Sequence, residues 1–225
     1  PHGGFRFLTA VGRVLVTGSL AYDHIMDFPG KFSEHILPDK IHILNVSFLV
    51  QSLKKQWGGT GGNIAYNLSL LGEKSLLLAP IGGKDFGLYK KHLEESGVDL
   101  SPSRFYPDEF TSTSFIITDQ TDNQIAAFYP GVMSQARHLS LKKWRNDISL
   151  VIISANDPFA MITYAKECQD TFLPYIFDPG QQIPRLTGSD IKDSLKGAKI
   201  LIGNDYEMEL IRRKTGWSND DILRK

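Results

Sequence analysis

The 225-residue sequence predicts an α/β protein with a mostly parallel central sheet, helices on both faces of that sheet and a small β-sheet lid. Three observations lead to this fold class. Short apolar runs alternate with helix-periodic runs, two β-prone stretches interrupt the alternation, and a glycine-rich turn opens one of the helices. Alternating strands and helices favour a parallel sheet that is covered on both faces. The length suits one large domain, which we place at residues 12–225.

The alternating elements can be assigned from apolar runs and from helical periodicity. The predicted strands cover residues 14–17, 75–80, 150–153, 174–177 and 199–202. The predicted helices cover residues 62–71, 85–96, 158–169, 191–195 and 205–214.

Two segments, at about residues 22–56 and 111–129, do not fit the parallel sheet and are expected to be inserted in the domain as its lid. In the second segment, β-prone runs at 114–118 and 124–128 flank a polar turn, which predicts a hairpin. In the first, Ile41, Ile43 and residues 46–50 suggest exposed or edge strands. Long loops without structure of their own are uncommon in a compact domain, so we expect the two segments to pair as a small antiparallel flap.

The glycine-rich turn runs from Gly58 to Asn63, with the letters Gly-Gly-Thr-Gly-Gly-Asn, and opens the helix at 62–71. Glycines allow backbone to approach a ligand where a Cβ would clash, and the free N–H groups of a helix start would face that ligand. Asn63 adds an amide that can both donate and accept. A helix start packed tightly on the sheet is the structural alternative. The spacings of a Rossmann fingerprint and of a P-loop are both absent.

The stretch from Gly58 to Gly82 resembles the first signature of the ribokinase-like sugar and nucleoside kinases, the PfkB family. The matching positions are Gly58, Gly59, Gly61, Asn63, Ala65, Gly72 and Gly82. The resemblance extends over most of the chain, from about Val14 onward. It implies a ribokinase-like fold with a β-sheet lid over the substrate. It also implies an ATP-dependent phosphotransferase that acts on a primary hydroxyl of a ribose-containing substrate.

Candidate substrate-binding residues follow the predicted strands, where ligands of open α/β sheets bind. The carboxylate of Asp23 can accept two hydroxyl hydrogens, which suits a vicinal diol. The resemblance gives this role to Asp23 and Asn63, and Gly59 would bring a backbone N–H close to a sugar hydroxyl. A turn-capping function is the alternative for Asp23. The full predicted set is Asp23, Gly59, Gly62, Asn63, Phe115 and Asn156.

Two members of this set have clear alternatives. Phe115 is a lid aromatic that alternation could turn inward over a nucleobase, although such residues often only build the face of their own hairpin. Asn156 ends the strand at 150–153 and could touch substrate, while Asp157 beside it could simply cap the next helix ahead of Pro158.

The segment from Asn204 to Glu207 matches the Asn-x-x-Glu motif that the family associates with nucleotide phosphates and Mg²⁺. Glu207 is the predicted metal ligand, because a carboxylate beside a triphosphate is favourable only through a cation. A capped helix start with an acidic first turn is the alternative. The implied cofactors are ATP and Mg²⁺, with a monovalent cation left open.

The catalytic base of the family lies in a Gly-Ala-Gly-Asp turn, and this turn is missing from the sequence. The segment from Gly82 to Asp85 belongs to the first signature, and the segment from Thr187 to Asp190 lacks the second glycine. We therefore expect the catalytic Asp to lie beyond Lys225, and this stretch by itself to be inactive. A non-catalytic protein that retains a ribose or nucleoside pocket is an alternative that the missing turn supports equally well.

Two positions at which this sequence differs from ribokinase proper narrow the choice of substrate within the family. Where ribokinase proper tends to carry Asn and Lys, this sequence has Ala21 and Thr60. Residues 61–67 and 123–131 look more like the corresponding segments of bacterial adenosine kinase-like members. Adenosine or another nucleoside is therefore the first expectation. Ribose or fructose comes second. A dinucleotide-binding oxidoreductase is a third hypothesis, allowed by the alternation alone.

Composition excludes several partners. The 25 basic and 25 acidic residues balance, and no basic stripe supports nucleic-acid binding. No apolar run approaches the ~20 residues of a membrane span. A single cysteine, Cys168, fits a reducing, cytoplasmic location. An exposed lid edge could pair with a second copy to form a homodimer.

Overall fold

The computed structural model describes residues 12–223. The strands in chain order are β1 (Arg13–Thr17), β2 (Ala21–Asp27), β3 (Ser52–Gly58), β4 (Ser75–Leu78), β5 (Pro80–Gly82), β6 (Arg104–Tyr106), β7 (Ser112–Thr118), β8 (Gln124–Tyr129), β9 (Ile148–Ser154), β10 (Tyr175–Asp178) and β11 (Ile200–Leu201). The α-helices are α1 (Thr60–Leu70), α2 (Gly87–Glu95), α3 (Pro158–Thr171), α4 (Gly188–Leu195), α5 (Asp205–Thr215) and α6 (Asn219–Leu223).

The central sheet has five parallel strands in the order β11-β10-β9-β1-β4. Neighbouring residues of β1 point to opposite faces: Leu15 belongs to one buried apolar cluster and Val16 to the other. Both side chains are fully buried. The predicted parallel sheet with helices on both faces is thus confirmed.

The strand predicted at 75–80 is divided in two. Strand β4 stays in the central sheet, whereas β5 pairs with β6 in a separate two-stranded sheet. The break falls at Ala79, whose N–H donates to Oγ of Ser103 at 3.1 Å rather than to a neighbouring strand. Pro80 then supplies no N–H for a ladder.

The lid is a four-stranded sheet in the order β3-β2-β7-β8. The predicted hairpin β7–β8 is present, and β2 pairs with β3 in the same antiparallel way. The expectation of a wholly antiparallel flap was wrong, because β2 and β7 pair in parallel. The two strands that meet in the middle of the lid are β2 and β7, the first strand of each antiparallel pair, and they run in the same direction.

The edge strands suggested for residues 41–50 are absent from the described structure. Pro38 starts a short 3₁₀ helix, Pro38–Ile43, and the lid strand begins only at Ser52. Phe28, Phe32 and Phe48 pack together instead, with ring centroids 5.0–5.8 Å apart. Aromatic packing, rather than the hydrogen bonds of a sheet, therefore holds this part of the first lid segment in place.

The carboxylate of Asp119 ties the far ends of the two lid segments together. It accepts hydrogen bonds from the backbone N–H groups of Phe32 at 3.0 Å, of Thr121 at 2.8 Å and of Asn123 at 3.0 Å. Desolvation alone would raise the pKa of Asp119, but these bonds hold it well below its usual range.

The longest helix, α3, has 14 residues. Nowhere in residues 12–223 does a helix combine the length and apolar character needed to cross a bilayer.

Candidate functional site

A cavity of about 440 Å³ lies between the lid and the carboxyl end of the central sheet. Its lining residues are Ser19, Ala21, Asp23, Gly59, Thr60, Asn63, Ser114, Phe128, Met133, Gln181 and Gln182. The size falls in the range of small-molecule sites. The position agrees with the rule that ligands of open α/β sheets bind outside the carboxyl ends of the strands.

The lid wall of this cavity follows from strand register. Asp23 is paired with Ser114, and Ser114 is paired with Phe128, so the three side chains share one face of the lid. The carboxylate of Asp23 lies against Gly58, where an added Cβ would be 2.2 Å from Oδ2. Burial raises the pKa of Asp23, and the neighbouring His24 opposes this shift. Asp23 therefore offers a partly desolvated acceptor to the cavity.

The glycine turn forms the second wall. Gly59 precedes α1 with a φ of 85°, and an added Cβ there would be 2.5 Å from the carbonyl oxygen of Ser19. Gly61 packs against the end of β1, because an added Cβ there would be 2.8 Å from both Cα and C of Gly18. Tight packing on the sheet and exposure to the cavity thus occur together in this turn.

Hydroxyl groups hold the glycine turn against the sheet. Thr60 donates from Oγ1 to the carbonyl oxygen of Ala155 at 3.0 Å, and this Oγ1 lies 3.0 Å from Oγ of Ser154. The backbone N–H of Thr60 donates to Oγ of Ser19 at 3.1 Å. The turn is therefore fixed to the ends of both β1 and β9.

Of the predicted substrate residues, Asp23, Gly59 and Asn63 come together in the cavity. Gly62 does not line it. An added Cβ at Gly62 would be 2.0 Å from Oη of Tyr89, in a neighbouring cleft that Asn63 also borders. The packing of Tyr89 is enough to require a glycine there.

Phe115 lies on the opposite face of the lid. It is paired with His24, and the two rings stack with centroids 4.9 Å apart. The lid aromatic that lines the cavity is Phe128. The alternation of side chains along β7 puts Ser114, rather than Phe115, on the inner face.

Asn156 is fully buried and does not line the cavity. Its Oδ1 accepts from the backbone N–H of Asp157 at 2.8 Å, and its Nδ2 has no partner within residues 12–223. Asp157 caps α3 through the N–H of Ala160 and pairs with Arg137 at 2.7 Å. The capping alternative for this segment is therefore present in the structure.

Asn204 and Glu207 form a capping box at the start of α5. Oδ1 of Asn204 accepts from the N–H of Glu207, and Oε2 of Glu207 accepts from the N–H of Asn204, both at 2.9 Å. Burial, and then the charge of Glu207, raise the pKa of Asp178 at the end of β10. No cluster of three or more His, Cys, Asp or Glu side chains able to hold a metal occurs in residues 12–223.

The two Asp residues in partial matches to the catalytic turn have structural partners. Oδ1 of Asp85 accepts from N and Oγ1 of Thr111, at 2.9 and 2.7 Å, at the base of the lid. Asp190 forms a capping box with Thr187 at the start of α4. Neither residue lines the cavity.

Sequence reasoning missed Ser19, Ser114, Met133, Gln181 and Gln182 as lining residues. The alternation of side chains between the two faces of the hairpin could have identified Ser114. The two glutamines follow the end of β10 after Pro179 and Gly180, at the edge of the sheet where ligands bind, so their position was a usable signal. Met133 follows the lid strands, and no motif in the neighbouring sequence indicates that it lines the cavity.

A parallel α/β sheet with a β-sheet lid over its carboxyl end, and a carboxylate and a glycine turn between them, defines the ribokinase-like class of proteins. Residues 16–225 match the family described as pfkB family carbohydrate kinase, and the chain belongs to this family.

Several of the relatives found are nucleoside kinases. The chain is 27% identical over 215 residues to the nucleoside kinase of Methanocaldococcus jannaschii, covering 95% of this chain and 67% of that protein. It is 28% identical over 206 residues to the nucleoside kinase of Methanothermobacter thermautotrophicus, covering 89% of this chain and 62% of that protein. The chain thus spans roughly two thirds of their length, 67% and 62% respectively.

Solved structures share the fold. The nucleoside kinase of Burkholderia thailandensis in complex with inosine is 37% identical, with a TM-score of 0.82 over 94% of this chain and 67% of that one. The structure of the same protein in complex with ADP-inosine is 39% identical with a TM-score of 0.78, over 94% of this chain and 66% of that one.

Proposed function

We propose that the cavity under the lid binds a ribonucleoside and that the protein phosphorylates a primary hydroxyl of that nucleoside with ATP. The observation that carries this proposal is the presence of Asp23, Asn63 and the Gly59 turn in one cavity. The similarity to nucleoside kinases, one of them solved with inosine, supports it.

The ribose would be held through its vicinal hydroxyls. An ionised Asp23 accepts from both hydroxyls, whereas the amide of Asn63 can donate to one and accept from another. Charge-assisted hydrogen bonds of this kind contribute about 1.5–3 kcal/mol each. Because the Asp23 carboxylate is already partly desolvated, it gains more from a hydroxyl partner than a fully hydrated one would.

A nucleoside suits the cavity better than a bare sugar. Phe128 and Met133 add apolar surface to the lining of the cavity. A planar base has a large aromatic face for such surface, whereas ribose or fructose offers only a few C–H groups between its hydroxyls. A sugar kinase therefore stays the second candidate.

Asn204 and Glu207 are proposed to contact the nucleotide side. Glu207 uses Oε2 in the capping box, so Oε1 remains for a Mg²⁺ that retains several waters. A Mg²⁺ held beside Glu207 would supply positive charge against the nucleotide phosphates. The N–H groups at the start of α5 favour an anion there. The residues present therefore fit a Mg²⁺–nucleotide complex.

The 225 residues contain no Gly-Ala-Gly-Asp turn. Phosphoryl transfer needs stabilisation of the developing charge as well as an aligned hydroxyl. We therefore propose that these residues by themselves bind the nucleoside without phosphorylating it. A non-catalytic nucleoside-binding protein would show the same binding. A kinase is distinguished from it only by phosphoryl transfer, measured in a protein that also carries the Gly-Ala-Gly-Asp turn.

Two further proposals concern the protein as a whole. Strand β8 is exposed along its whole length at the edge of the lid, which makes it the expected site of pairing in a homodimer. A cytoplasmic location is proposed from the use of a single cysteine, Cys168, which is free and buried; burial raises its pKa to about 12, so it stays an unreactive thiol.

The test is calorimetric titration of this chain with inosine and adenosine, using Asp23→Asn, Asn63→Ala and the control Asp108→Asn, an exposed Asp outside the cavity. We expect nucleoside binding by the wild type, a loss of about 10- to 100-fold for Asp23→Asn and no change for the control. Absence of nucleoside binding, or an Asp23→Asn variant that binds like the wild type, would contradict the proposal.

A further inference from the structure

We propose that a second cleft, next to the nucleoside cavity, binds a nucleotide and that a nucleotide bound there weakens nucleoside binding. The site itself goes beyond the proposed function. Only its effect on the nucleoside rests on that function.

The cleft has a volume of about 450 Å³ and lies between β3, α1 and α2. Its lining residues are Lys55, Gln56, Trp57, Gly62, Asn63, Tyr66, Tyr89 and His92. The volume falls in the range of small-molecule sites. Asn63 is the one lining residue that the cleft shares with the nucleoside cavity. The cleft is therefore a separate place for a ligand, and it adjoins the cavity at this residue.

Three rings give the cleft its aromatic surface. The imidazole of His92 stacks on the indole of Trp57, with centroids 3.9 Å apart, and on the ring of Tyr66, with centroids 4.6 Å apart. Trp57 nevertheless stays 44% exposed. The stacked rings hold one another in place before a ligand arrives, which lowers the entropic cost of binding. A flat heteroaromatic base has the shape and the π-surface to pack on such rings.

The charge of the cleft favours an anion. Nζ of Lys55 lies 3.6 Å from the centroid of the Tyr22 ring, a contact that holds the ammonium group in place. Among the described residues no carboxylate pairs with Lys55, and none lines the cleft. A lysine ammonium binds phosphate as a point charge. A nucleotide, which combines a planar base with a phosphate, therefore matches both parts of the cleft.

Asn63 couples the two sites. In residues 12–223 its hydrogen bonds are made by its backbone atoms, so its side-chain amide is available to a ligand. A rotation that directs this amide into the cleft takes its donor and its acceptor away from the ribose. A nucleotide that engages Asn63 therefore weakens nucleoside binding. By linkage, each ligand lowers the affinity of the other by the same factor.

Tyr89 provides a second link between the cleft and the cavity. Its Oη donates to the carbonyl oxygen of Gly58 at 2.8 Å, and Gly58 lies against the carboxylate of Asp23. A ligand that packs on Tyr89 therefore acts on the same glycine turn that leaves room for the diol acceptor.

The experiment is calorimetric titration of this chain with inosine 5′-monophosphate in the presence of saturating inosine. Inosine fills the nucleoside cavity, so any further binding reports on another site. We expect the monophosphate to bind the inosine-loaded protein. Ribose 5-phosphate, which lacks the base, should bind at least about tenfold more weakly. Further inosine, which lacks the phosphate, should show no second site of similar affinity.

Lys55→Gln tests the place of binding. This variant should bind the monophosphate about tenfold more weakly, because the phosphate loses its cation. Its affinity for inosine alone should equal that of the wild type. Lys54→Gln is the matched control, since Lys54 is an exposed lysine of the same strand that does not line the cleft.

The fluorescence of Trp57 gives an independent measurement. A base that packs on the indole should change the emission of the wild type and of Lys54→Gln, and the change should be absent in Trp57→Phe, which keeps an aromatic ring in the cleft. Thermal unfolding checks that each variant is folded.

The effect on the nucleoside is measured by titrating inosine at increasing concentrations of the monophosphate. Coupling through Asn63 predicts a loss of inosine affinity of about fivefold or more that levels off once the cleft is full. The loss should be absent in Lys55→Gln at the same concentrations. A loss that grows without limit would show direct competition in the nucleoside cavity and would overturn the coupling.

The outcomes separate this site from the proposed function. Failure of the monophosphate to bind the inosine-loaded protein, or binding that Lys55→Gln leaves unchanged, overturns the nucleotide site. If the wild type binds no inosine but binds the monophosphate in a way that depends on Lys55 and alters Trp57 emission, the nucleotide site stands and the proposed function fails.

Discussion

The carboxylate of Asp23 lies against the backbone of Gly58, so that a Cβ at Gly58 would be 2.2 Å from Oδ2. Gly58 itself is buried, and its carbonyl oxygen accepts a hydrogen bond from Oη of Tyr89 at 2.8 Å. The glycine therefore has a role besides turn geometry, because it leaves the room in which the diol acceptor sits.

Gly58→Ala should displace Asp23 and weaken nucleoside binding by at least about tenfold, the loss expected for one charge-assisted hydrogen bond. Calorimetry with inosine measures the effect. Gly87→Ala is the matched control, because an added Cβ at Gly87 meets nothing within 4 Å. A Gly58→Ala variant with wild-type affinity would show that the position of Asp23 does not matter.

Gly62→Ala should lower the free energy of unfolding by about 1–3 kcal/mol, because the added Cβ would be 2.0 Å from Oη of the buried Tyr89. Tyr89→Phe removes that oxygen and its hydrogen bond to Gly58. The double variant should therefore be more stable than the sum of the two single effects predicts. Urea unfolding of all four proteins measures the coupling, and simple additivity would refute the contact.

Asp23→Asn should raise the thermal midpoint at neutral pH while it weakens nucleoside binding. Burial raises the pKa of Asp23, so the folded state holds its proton more tightly than the unfolded state does. Ionisation of Asp23 then costs stability above its folded pKa, and this cost disappears as the pH falls toward the unfolded value of about 3.9.

Thermal unfolding of the wild type and Asp23→Asn between pH 4 and neutral pH tests this sign. The stability advantage of the variant should shrink as the pH falls. An advantage that is absent at neutral pH, or that grows toward acid, would contradict the assignment of a raised pKa.

Glu207→Gln should keep the thermal midpoint of the chain, because glutamine also serves at this position of a capping box. In a protein that also carries the Gly-Ala-Gly-Asp turn, the Mg²⁺ concentration for half-maximal phosphoryl transfer should rise about tenfold or more. Glu209→Gln, on the same helix, is the control. Unaltered Mg²⁺ dependence would leave Glu207 with a capping role only.

Sequence reasoning was most successful where a residue type and its spacing have one physical explanation. The glycine turn could be placed because Gly59 adopts a φ of 85° and approaches Ser19 at a distance that excludes a side chain. The parallel sheet could be predicted because Leu15 and Val16 are both apolar and serve opposite faces. Such requirements are local and are visible in the letters.

The remaining features depend on pairing that the letters do not specify. Phe115 and Phe128 are both lid aromatics, and only the register with Asp23 decides that Phe128 lines the cavity. The orientation of Gln182 depends on a contact with Arg185, which no periodicity indicates. The edge strands suggested by Ile41 and Ile43 were wrong because these exposed side chains belong to a 3₁₀ helix.

The central claim, that Asp23 and Asn63 jointly bind the ribose diol, is tested most directly by the affinity of this chain for inosine compared with 2′,3′-dideoxyinosine. The account predicts that loss of both hydroxyls weakens binding to the wild type by about 10- to 100-fold. It also predicts that this ratio collapses in the Asp23→Asn, Asn63→Ala double variant. Equal affinity of the wild type for the two nucleosides would contradict it.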